Sequence, residues 1–269
     1  MKKIPLLIII ILSLLLGACT ASDSEKGKDS NKKQKIILTI SAAASLSDCL
    51  ADIEKKFNKM HPSVSLLFNF GGSGSLQQQI LNGAPVDLYI FADKDKANKL
   101  VEEDLVIEET NKELLGNSLV LIVPKTSKKP INTLEDLLHS DLEKIAVGTP
   151  ETVPAGKYTK QALIETGLWN KLNDQGKFVP TKDVRQVLTY VETNNVDAGF
   201  VYHTDAIQSA KVIIITEIPA STHDPIVYST GVLRSSKHIN EATIFSDFLL
   251  GEQAKAIFTK YGFKVGMMQ

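Results

Sequence analysis

The sequence is poor in the residues on which several common functions depend. It has only two cysteines and five histidines in 269 residues, and none shows paired metal-ligand spacing. A disulfide scaffold, a four-thiolate metal site and an HExxH zinc site are therefore excluded. The 30 basic and 31 acidic residues leave a net charge of −1. We expect no nucleic-acid partner, because nucleic-acid-binding domains carry a basic face, and no cofactor.

Enzyme motifs are also missing. The glycine-rich segment Gly71–Ser75 is not a GxSxG nucleophile turn, because position 75 is serine, and no GK[ST] follows it to form a phosphate-binding loop. We therefore expect a protein that is not an enzyme. A secreted hydrolase that uses Ser73 or Ser45 with His203 is the alternative from a different class, and it would need an acid partner and an oxyanion hole.

The N-terminus has the pattern of a bacterial secretion signal. Two lysines precede the nearly continuous apolar stretch Ile4–Leu16, which is shorter than the about 20 residues of a membrane-spanning helix and fits a signal peptide. The following Leu16-Gly17-Ala18-Cys19 resembles the lipobox of bacterial lipoproteins. We predict a signal peptide over residues 1–18, lipidation of Cys19, and a flexible polar tether over 19–35.

From residue 36 onward, strand-like and helix-like runs alternate. The first strand, Ile36–Ala42, precedes an amphipathic helix with an apolar stripe at helical spacing. That stripe is Leu46, Leu50, Ile53, Phe57 and Met60. The other predicted strands are Val64–Phe70, Asp87–Ala92, Ser118–Val123, Lys144–Gly148, Ala198–Tyr202, Val212–Thr216 and Ile226–Leu233. Further helices are predicted over Ser75–Leu81, Lys94–Glu103, Leu134–His139 and Tyr158–Glu165, around Val184–Val191, and in two stretches from Glu241.

This alternation indicates an α/β protein in which helices cover both faces of mostly parallel sheets. The pattern restarts after Pro124, which favours two lobes. The final helices do not bring strands of their own, so we expect them to pack on the first lobe. In open α/β sheets ligands bind beyond the carboxyl ends of the strands, and a cleft between two lobes is the natural site.

Small and hydroxyl-bearing residues are concentrated where predicted strands give way to helices. The four junctions are Ala42-Ala43-Ala44-Ser45, Gly71-Gly72-Ser73-Gly74, Val153-Pro154-Ala155-Gly156 and Thr181-Lys182-Asp183-Val184. Each places free N–H groups at the positive end of a helix, and the small residues allow a ligand to come close. Together they predict an anion site without cations. Singly, Ser45, Ser75 and Asp183 are ordinary helix caps, and Tyr202 fits either a cleft or a core position.

Seven short segments together resemble the molybdate-binding proteins of bacterial ABC importers. They are Ala42–Leu46, Gly83–Leu88, Leu115–Val120, Val153–Tyr158, Asp183–Arg185, Gly199–Tyr202 and Tyr261–Phe263. The resemblance implies a type II periplasmic-binding-protein fold, with two lobes that are each a mostly parallel sheet flanked by helices, joined by two crossovers. Lobe 1 would comprise residues 36–117 and 225–269, and lobe 2 residues 118–224.

The resemblance also implies how a tetrahedral oxyanion is held. The implied ligands are Ser45 and Ser73 through hydroxyl and N–H, Ala155 and Val184 through N–H, and Tyr202 through its phenol. Glycine is more frequent in the loop Gly71–Ser75 than in the serine-rich loop of the family, so Ser75 is an alternative to Ser73, which we prefer. No metal cation is implied as such, because molybdenum would be bound as molybdate.

The function implied is that of a monomeric lipoprotein anchored to the outer face of the cell membrane. It would bind molybdate or tungstate between its lobes and deliver the ion to the membrane subunits of an ABC permease. The alternatives are a receptor for another oxyanion such as sulfate, the secreted hydrolase, and an adhesion or signalling module that keeps the fold without the ligand. A site made of donors rejects phosphate, which keeps a proton, whereas rejection of sulfate depends on cavity size.

Overall fold

A computed structural model describes residues 35–266. The predicted signal peptide, Cys19 and nearly all of the tether lie outside the described residues, so lipidation stays a prediction. Within the described range, no helix combines the length and the apolar character that crossing a bilayer requires.

The described strands form two five-stranded sheets. Sheet A contains, in spatial order, β2 (Val64–Gly71), β1 (Ile36–Ala43), β3 (Leu88–Phe91), β10 (Val227–Val232) and β4 (Lys112–Gly116). Sheet B contains β7 (Phe178–Thr181), β6 (Ile145–Gly148), β8 (Ala198–Tyr202), β5 (Leu119–Pro124) and β9 (Val212–Glu217). One strand in each sheet, β10 or β5, runs against the other four. The prediction of mostly parallel sheets is confirmed.

Helices connect most of these strands, and two further helices follow β10. They are α1 (Ser47–Met60), α2 (Ser73–Leu81), α3 (Lys94–Glu102), α4 (Pro154–Glu165), α5 (Trp169–Asp174), α6 (Val184–Glu192), α7 (His203–Ile207), α8 (Ile239–Leu250) and α9 (Glu252–Lys260). The predicted apolar stripe of α1 is buried through Phe57, whereas Met60 at the end of the helix is half exposed. The ring of Phe57 lies 4.9 Å from that of Phe245 in α8, so a final helix packs against α1, as expected.

The structure differs from the sequence prediction at several elements. Strands β4 and β7 and the short helices α5 and α7 were not predicted. The segment Leu134–His139 contains only a 3-10 turn, Glu135–Leu138, instead of a helix. Two helices begin earlier than predicted, α2 at Ser73 and α4 at Pro154. Proline is favourable at the first position of a helix because its fixed φ suits the helix and its missing N–H would have no partner there.

Strand register brings the predicted junctions together. In sheet A, Ala43 at the end of β1 pairs with Gly71 at the end of β2. In sheet B, Gly148 at the end of β6 pairs with Thr181 at the end of β7. The chain passes between the sheets twice, from β4 to β5 and from β9 to β10. The predicted lobe boundaries at 117/118 and 224/225 fall in these two passages and stay a prediction.

Candidate ligand-binding site

A small cavity lies among the junctions that follow the strands of both sheets. Its lining includes the five residues predicted to bind an oxyanion, namely Ser45, Ser73, Ala155, Val184 and Tyr202. The other described residues of the lining are small or apolar, and none of the lining residues carries a charge. The volume of the cavity, counted as space for the centres of water molecules, is about 10 Å³, near the about 10–15 Å³ that a single water needs, so the cavity suits only a small ligand.

Ser73 is placed as a hydrogen-bond donor to the cavity. It is the first residue of α2 and is fully buried. Its Oγ accepts a hydrogen bond from the N–H of Ala92 at 3.0 Å, which leaves the hydroxyl proton available for a ligand. Ser75, the alternative at this loop, is not part of the cavity lining.

Ser45 lies in the 3-10 turn Ala44–Leu46 that connects β1 to α1. Its Oγ is 2.8 Å from the hydroxyl of Tyr228 in β10. Neither Ser45 nor Ser75 forms a side-chain helix cap. Asp183 does, because its carboxylate accepts a hydrogen bond from the N–H of Gln186 at 2.9 Å. The capping interpretation therefore holds for Asp183 alone of the three.

Backbone donors come from the starts of α4 and α6. The first N–H groups of a helix have no partner within it, and the residue before α4, Val153, provides no side-chain cap. Ala155 follows Pro154, which has no N–H of its own, and Val184 is the first residue of α6. Because the partial positive charge of each helix lies at this end, both N–H groups suit an anion.

Tyr202 gives the strongest indication that the cavity holds a polar ligand. This residue, the last of β8, is 1% exposed, and its hydroxyl has no hydrogen-bond partner among the described residues. Burial raises the pKa of the phenol well above its ordinary value of 10, so the group stays a neutral O–H donor. An unpaired buried hydroxyl costs about 1–3 kcal/mol, a cost that a ligand oxygen in the cavity would remove.

The arrangement is suited to binding by hydrogen-bond donation. Hydroxyl groups and helix N-termini face one small cavity whose lining has neither a cation nor a carboxylate. Such a site favours a small anion that only accepts hydrogen bonds. Among the described residues, neither Ser45 nor Ser73 is hydrogen-bonded to His203.

Comparison with known proteins agrees with this geometry. The family model described as bacterial extracellular solute-binding protein matches residues 38–264. The chain belongs to this family. YvgL of Bacillus subtilis, provisionally named as an ABC transporter substrate-binding lipoprotein, is 47% identical over 262 residues, which are 97% of this chain and 98% of YvgL. The molybdate-binding protein ModA of Escherichia coli is 38% identical over 236 residues, 85% of this chain and 89% of ModA.

A solved structure extends the comparison to the fold of this solute-binding protein. It is the substrate-binding domain of a protein from Clostridium difficile that is provisionally assigned to a molybdenum ABC transporter. That domain is 42% identical to this chain, with a TM-score of 0.65, and the match covers 86% of this chain and 99% of the domain. Both the family resemblance and the type II periplasmic-binding-protein fold predicted from the sequence are confirmed.

Two cations in this solute-binding protein join elements of sheet A to elements of sheet B. Lys157 in α4 places its Nζ 3.3 Å from the buried carboxylate of Asp93 and 2.6 Å from that of Asp95. Arg185 in α6 lies 3.0 Å from Asp48 in α1. No local sequence pattern indicates these ion pairs. They connect the two sides of the cavity.

The glycines of the Gly71–Ser75 loop have a packing role in this solute-binding protein. A Cβ on Gly72 would lie 2.7 Å from the carbonyl oxygen of Thr152. The N–H of Gly74 donates to that same oxygen at 2.9 Å. The loop of sheet A therefore touches the loop that precedes α4, and only glycine permits so close an approach. This contact accounts for the glycines at positions 72 and 74.

Proposed function

We propose that this protein binds molybdate, and tungstate with it, in the cavity and delivers the ion to the membrane subunits of an ABC permease. The proposed ligands are the hydroxyl and N–H groups of Ser45 and Ser73, the N–H groups of Ala155 and Val184, and the phenol of Tyr202. The unpaired, buried hydroxyl of Tyr202 in a cavity lined by donors is the observation that carries the proposal. The naming of ModA as a molybdate-binding protein supports it.

The chemistry of the lining favours a fully deprotonated oxyanion. Molybdate, tungstate and sulfate accept hydrogen bonds through all of their oxygens near neutral pH, whereas phosphate keeps a proton that needs an acceptor. A site composed of donors leaves that proton unpaired, at a cost of about 1–3 kcal/mol. Sulfate offers the same acceptors on a smaller frame, so size must separate it from molybdate.

We propose further that residues 36–117 with 225–269 and residues 118–224 are two lobes of a monomer. In this arrangement the lobes close on the ion, and the ion pairs of Lys157 and Arg185 stabilise the closed form. A ligand shifts such an equilibrium only by its differential affinity for the two states. The cavity supplies that difference, because its donors come from both sheets, and the permease would then recognise the closed form.

The N-terminal pattern supports a lipid anchor on the outer face of the membrane. We propose cleavage after residue 18 and lipidation of Cys19, followed by the tether. Replacement Cys19→Ser in the full chain should move the protein from the membrane fraction to the soluble fraction. Retention of that variant in the membrane fraction would refute the anchor without touching the ligand proposal.

Calorimetric titration of the chain without residues 1–19 tests the ligand. Molybdate, tungstate, sulfate and phosphate are added separately at neutral pH. One-to-one binding of molybdate and tungstate, with at least tenfold weaker sulfate binding and no phosphate binding, is expected. Preferential sulfate binding would support the alternative of a solute receptor whose ligand is sulfate and not molybdate. No heat with any of the four would refute the proposal, and turnover of simple esters by the same preparation would favour the hydrolase.

A further inference from the structure

Two residues outside the cavity lining are hydrogen-bonded in series to Ser45. The hydroxyl of Tyr228, a fully buried residue of β10, lies 2.8 Å from Ser45 Oγ. The same hydroxyl accepts a hydrogen bond from the side-chain Nδ2 of Asn117 at 3.2 Å. Asn117 lies in the passage from β4 to β5, and Tyr228 follows the passage from β9 to β10. The series therefore begins where the chain passes between the sheets and ends at the cavity.

The direction of these hydrogen bonds is set at Asn117. Its Oδ1 accepts from the N–H of Ser118 at 2.9 Å, which orients the amide. Its Nδ2 therefore faces Thr204 Oγ1 at 2.9 Å and the hydroxyl of Tyr228. Because an amide nitrogen only donates, the Tyr228 oxygen is an acceptor at this contact.

The hydroxyl proton of Tyr228 can then be donated to one acceptor among the described residues. The residue is 0% exposed, and Ser45 Oγ is the acceptor that its hydroxyl meets among the described residues. If Ser45 donated to Tyr228 instead, the buried phenolic proton would lack a partner, which is costly. Ser45 Oγ thus accepts from Tyr228, and its own proton is left for the cavity.

We propose that Asn117 and Tyr228 are positioning residues that hold Ser45 as a donor toward the bound oxyanion and thereby set selectivity against protonated oxyanions. This inference rests on the proposed function, since it concerns the same cavity. Neither residue lines the cavity, so their effect passes through the hydroxyl of Ser45. Ser73 is fixed as a donor in a comparable way by the N–H of Ala92.

The variant Asn117→Asp should reverse the direction of the hydrogen bonds from residue 117 through Tyr228 to Ser45, while the side chain at position 117 keeps nearly the same shape. A carboxylate still accepts from the N–H of Ser118, but it offers Tyr228 an acceptor. The phenol then donates to residue 117 and accepts from Ser45, which presents a lone pair to the cavity. The negative charge added by Asp at position 117 weakens the binding of all dianions alike. The informative quantity is therefore the ratio of the phosphate Kd to the molybdate Kd.

The experiment measures this ratio by calorimetry, with displacement of molybdate by phosphate where binding is weak, at mildly alkaline pH where phosphate is a singly protonated dianion. For Asn117→Asp the ratio should fall roughly 10- to 100-fold, the range of one hydrogen bond to a charged group. Tyr228→Phe frees Ser45 to rotate, and the ratio should fall about threefold or more. The matched control is Tyr89→Phe. The hydroxyl of Tyr89 lies outside the cavity and donates a hydrogen bond to Asn111 at 2.7 Å, so this variant should keep the wild-type ratio.

Equal weakening of both ions, with the ratio unchanged in Asn117→Asp and Tyr228→Phe, would show a merely structural role and overturn the inference while leaving the proposed function intact. Wild-type protein that binds no molybdate would refute the proposed function, and this inference with it. Thermal unfolding monitors folding of each variant. If Asn117→Asp does not fold, Tyr228→Phe decides, since it removes one oxygen and keeps the ring.

Discussion

Removing the hydroxyl of Tyr202 separates a ligand contact from a structural contact. Tyr202→Phe keeps the buried ring at the end of β8 and deletes one oxygen. Because that oxygen has no hydrogen-bond partner among the described residues, the substitution breaks no hydrogen bond between them. The unliganded variant should therefore be at least as stable as the wild type, and up to about 1–3 kcal/mol more stable, because it no longer buries an unpaired hydroxyl.

Binding should respond differently. A hydrogen bond to a charged group contributes about 1.5–3 kcal/mol, and about 1.4 kcal/mol corresponds to a tenfold change in Kd. Loss of the donor from Tyr202 should therefore raise the Kd for molybdate about 10- to 100-fold. The substitution leaves the other proposed donors in place, so one-to-one binding should remain.

Calorimetric titration with molybdate and urea unfolding of the unliganded protein measure the two quantities on one preparation. Tyr89→Phe is the matched control, because the hydroxyl that it removes donates a hydrogen bond to Asn111. It should lose about 0.5–1.5 kcal/mol of unfolding free energy and keep its affinity. If Tyr202→Phe bound molybdate as tightly as the wild type, or lost stability as the control does, the assignment of this hydroxyl to the ligand would be wrong.

Three further substitutions test the surroundings of the cavity. Gly156→Ala would place a Cβ 1.8 Å from the carbonyl oxygen of Gly148. Urea unfolding should show a loss of several kcal/mol of unfolding free energy, or the soluble yield should show that the variant does not fold. A variant as stable as the wild type would contradict this packing. Lys157→Met leaves the buried carboxylate of Asp93 without its cation. The variant should bind molybdate more weakly, because its closed form is less stable, and X-ray scattering should show a larger radius of gyration. Unchanged affinity would refute this role of Lys157. Burial, opposed by the adjacent Arg185, raises the pKa of Asp205 from 3.8 to about 7. The fold therefore holds that proton more tightly than the unfolded chain does, and ionisation destabilises the protein as the pH rises through this window. The stability of Asp205→Asn relative to the wild type should increase from about pH 4 to pH 7, by at most roughly 4 kcal/mol, and a pH-independent difference in urea unfolding would contradict it.

The cavity could be predicted because its residues belong to local patterns. Ser45, Ser73, Ala155 and Val184 each lie at a strand-to-helix junction, and in an α/β sheet such junctions gather at one edge. Tyr202 could be placed at the end of a strand, although the strand pattern alone did not decide whether its hydroxyl faced a core or a cleft. The topology, together with the family resemblance, brought the five residues to one site.

The elements that were missed lack such patterns. β7 contains Pro180, and proline within a run argues against a strand unless the strand lies at an edge. The structure places β7 at the edge of sheet B and β4 at the edge of sheet A. β4 has only two leucines in its five residues, which gives too little alternation to indicate a strand.

Contacts between distant residues were also beyond sequence reasoning. Tyr228 and Ser45 are 183 positions apart, and Tyr228 and Asn117 are 111 positions apart. No local periodicity links them, and each residue alone fits a core or turn position. The ion pair of Lys157 with Asp93, 64 positions apart, was missed for the same reason. These contacts depend on how the two sheets meet, which the sequence does not encode in any short segment.

The most direct test of the central claim is a crystal structure of the protein with tungstate, read from the anomalous scattering of tungsten. We predict one strong peak in the cavity, with oxygens within hydrogen-bonding distance of the hydroxyls of Ser45, Ser73 and Tyr202 and of the N–H groups of Ala155 and Val184. A peak elsewhere, or none at a tungstate concentration that saturates binding in solution, would contradict the account.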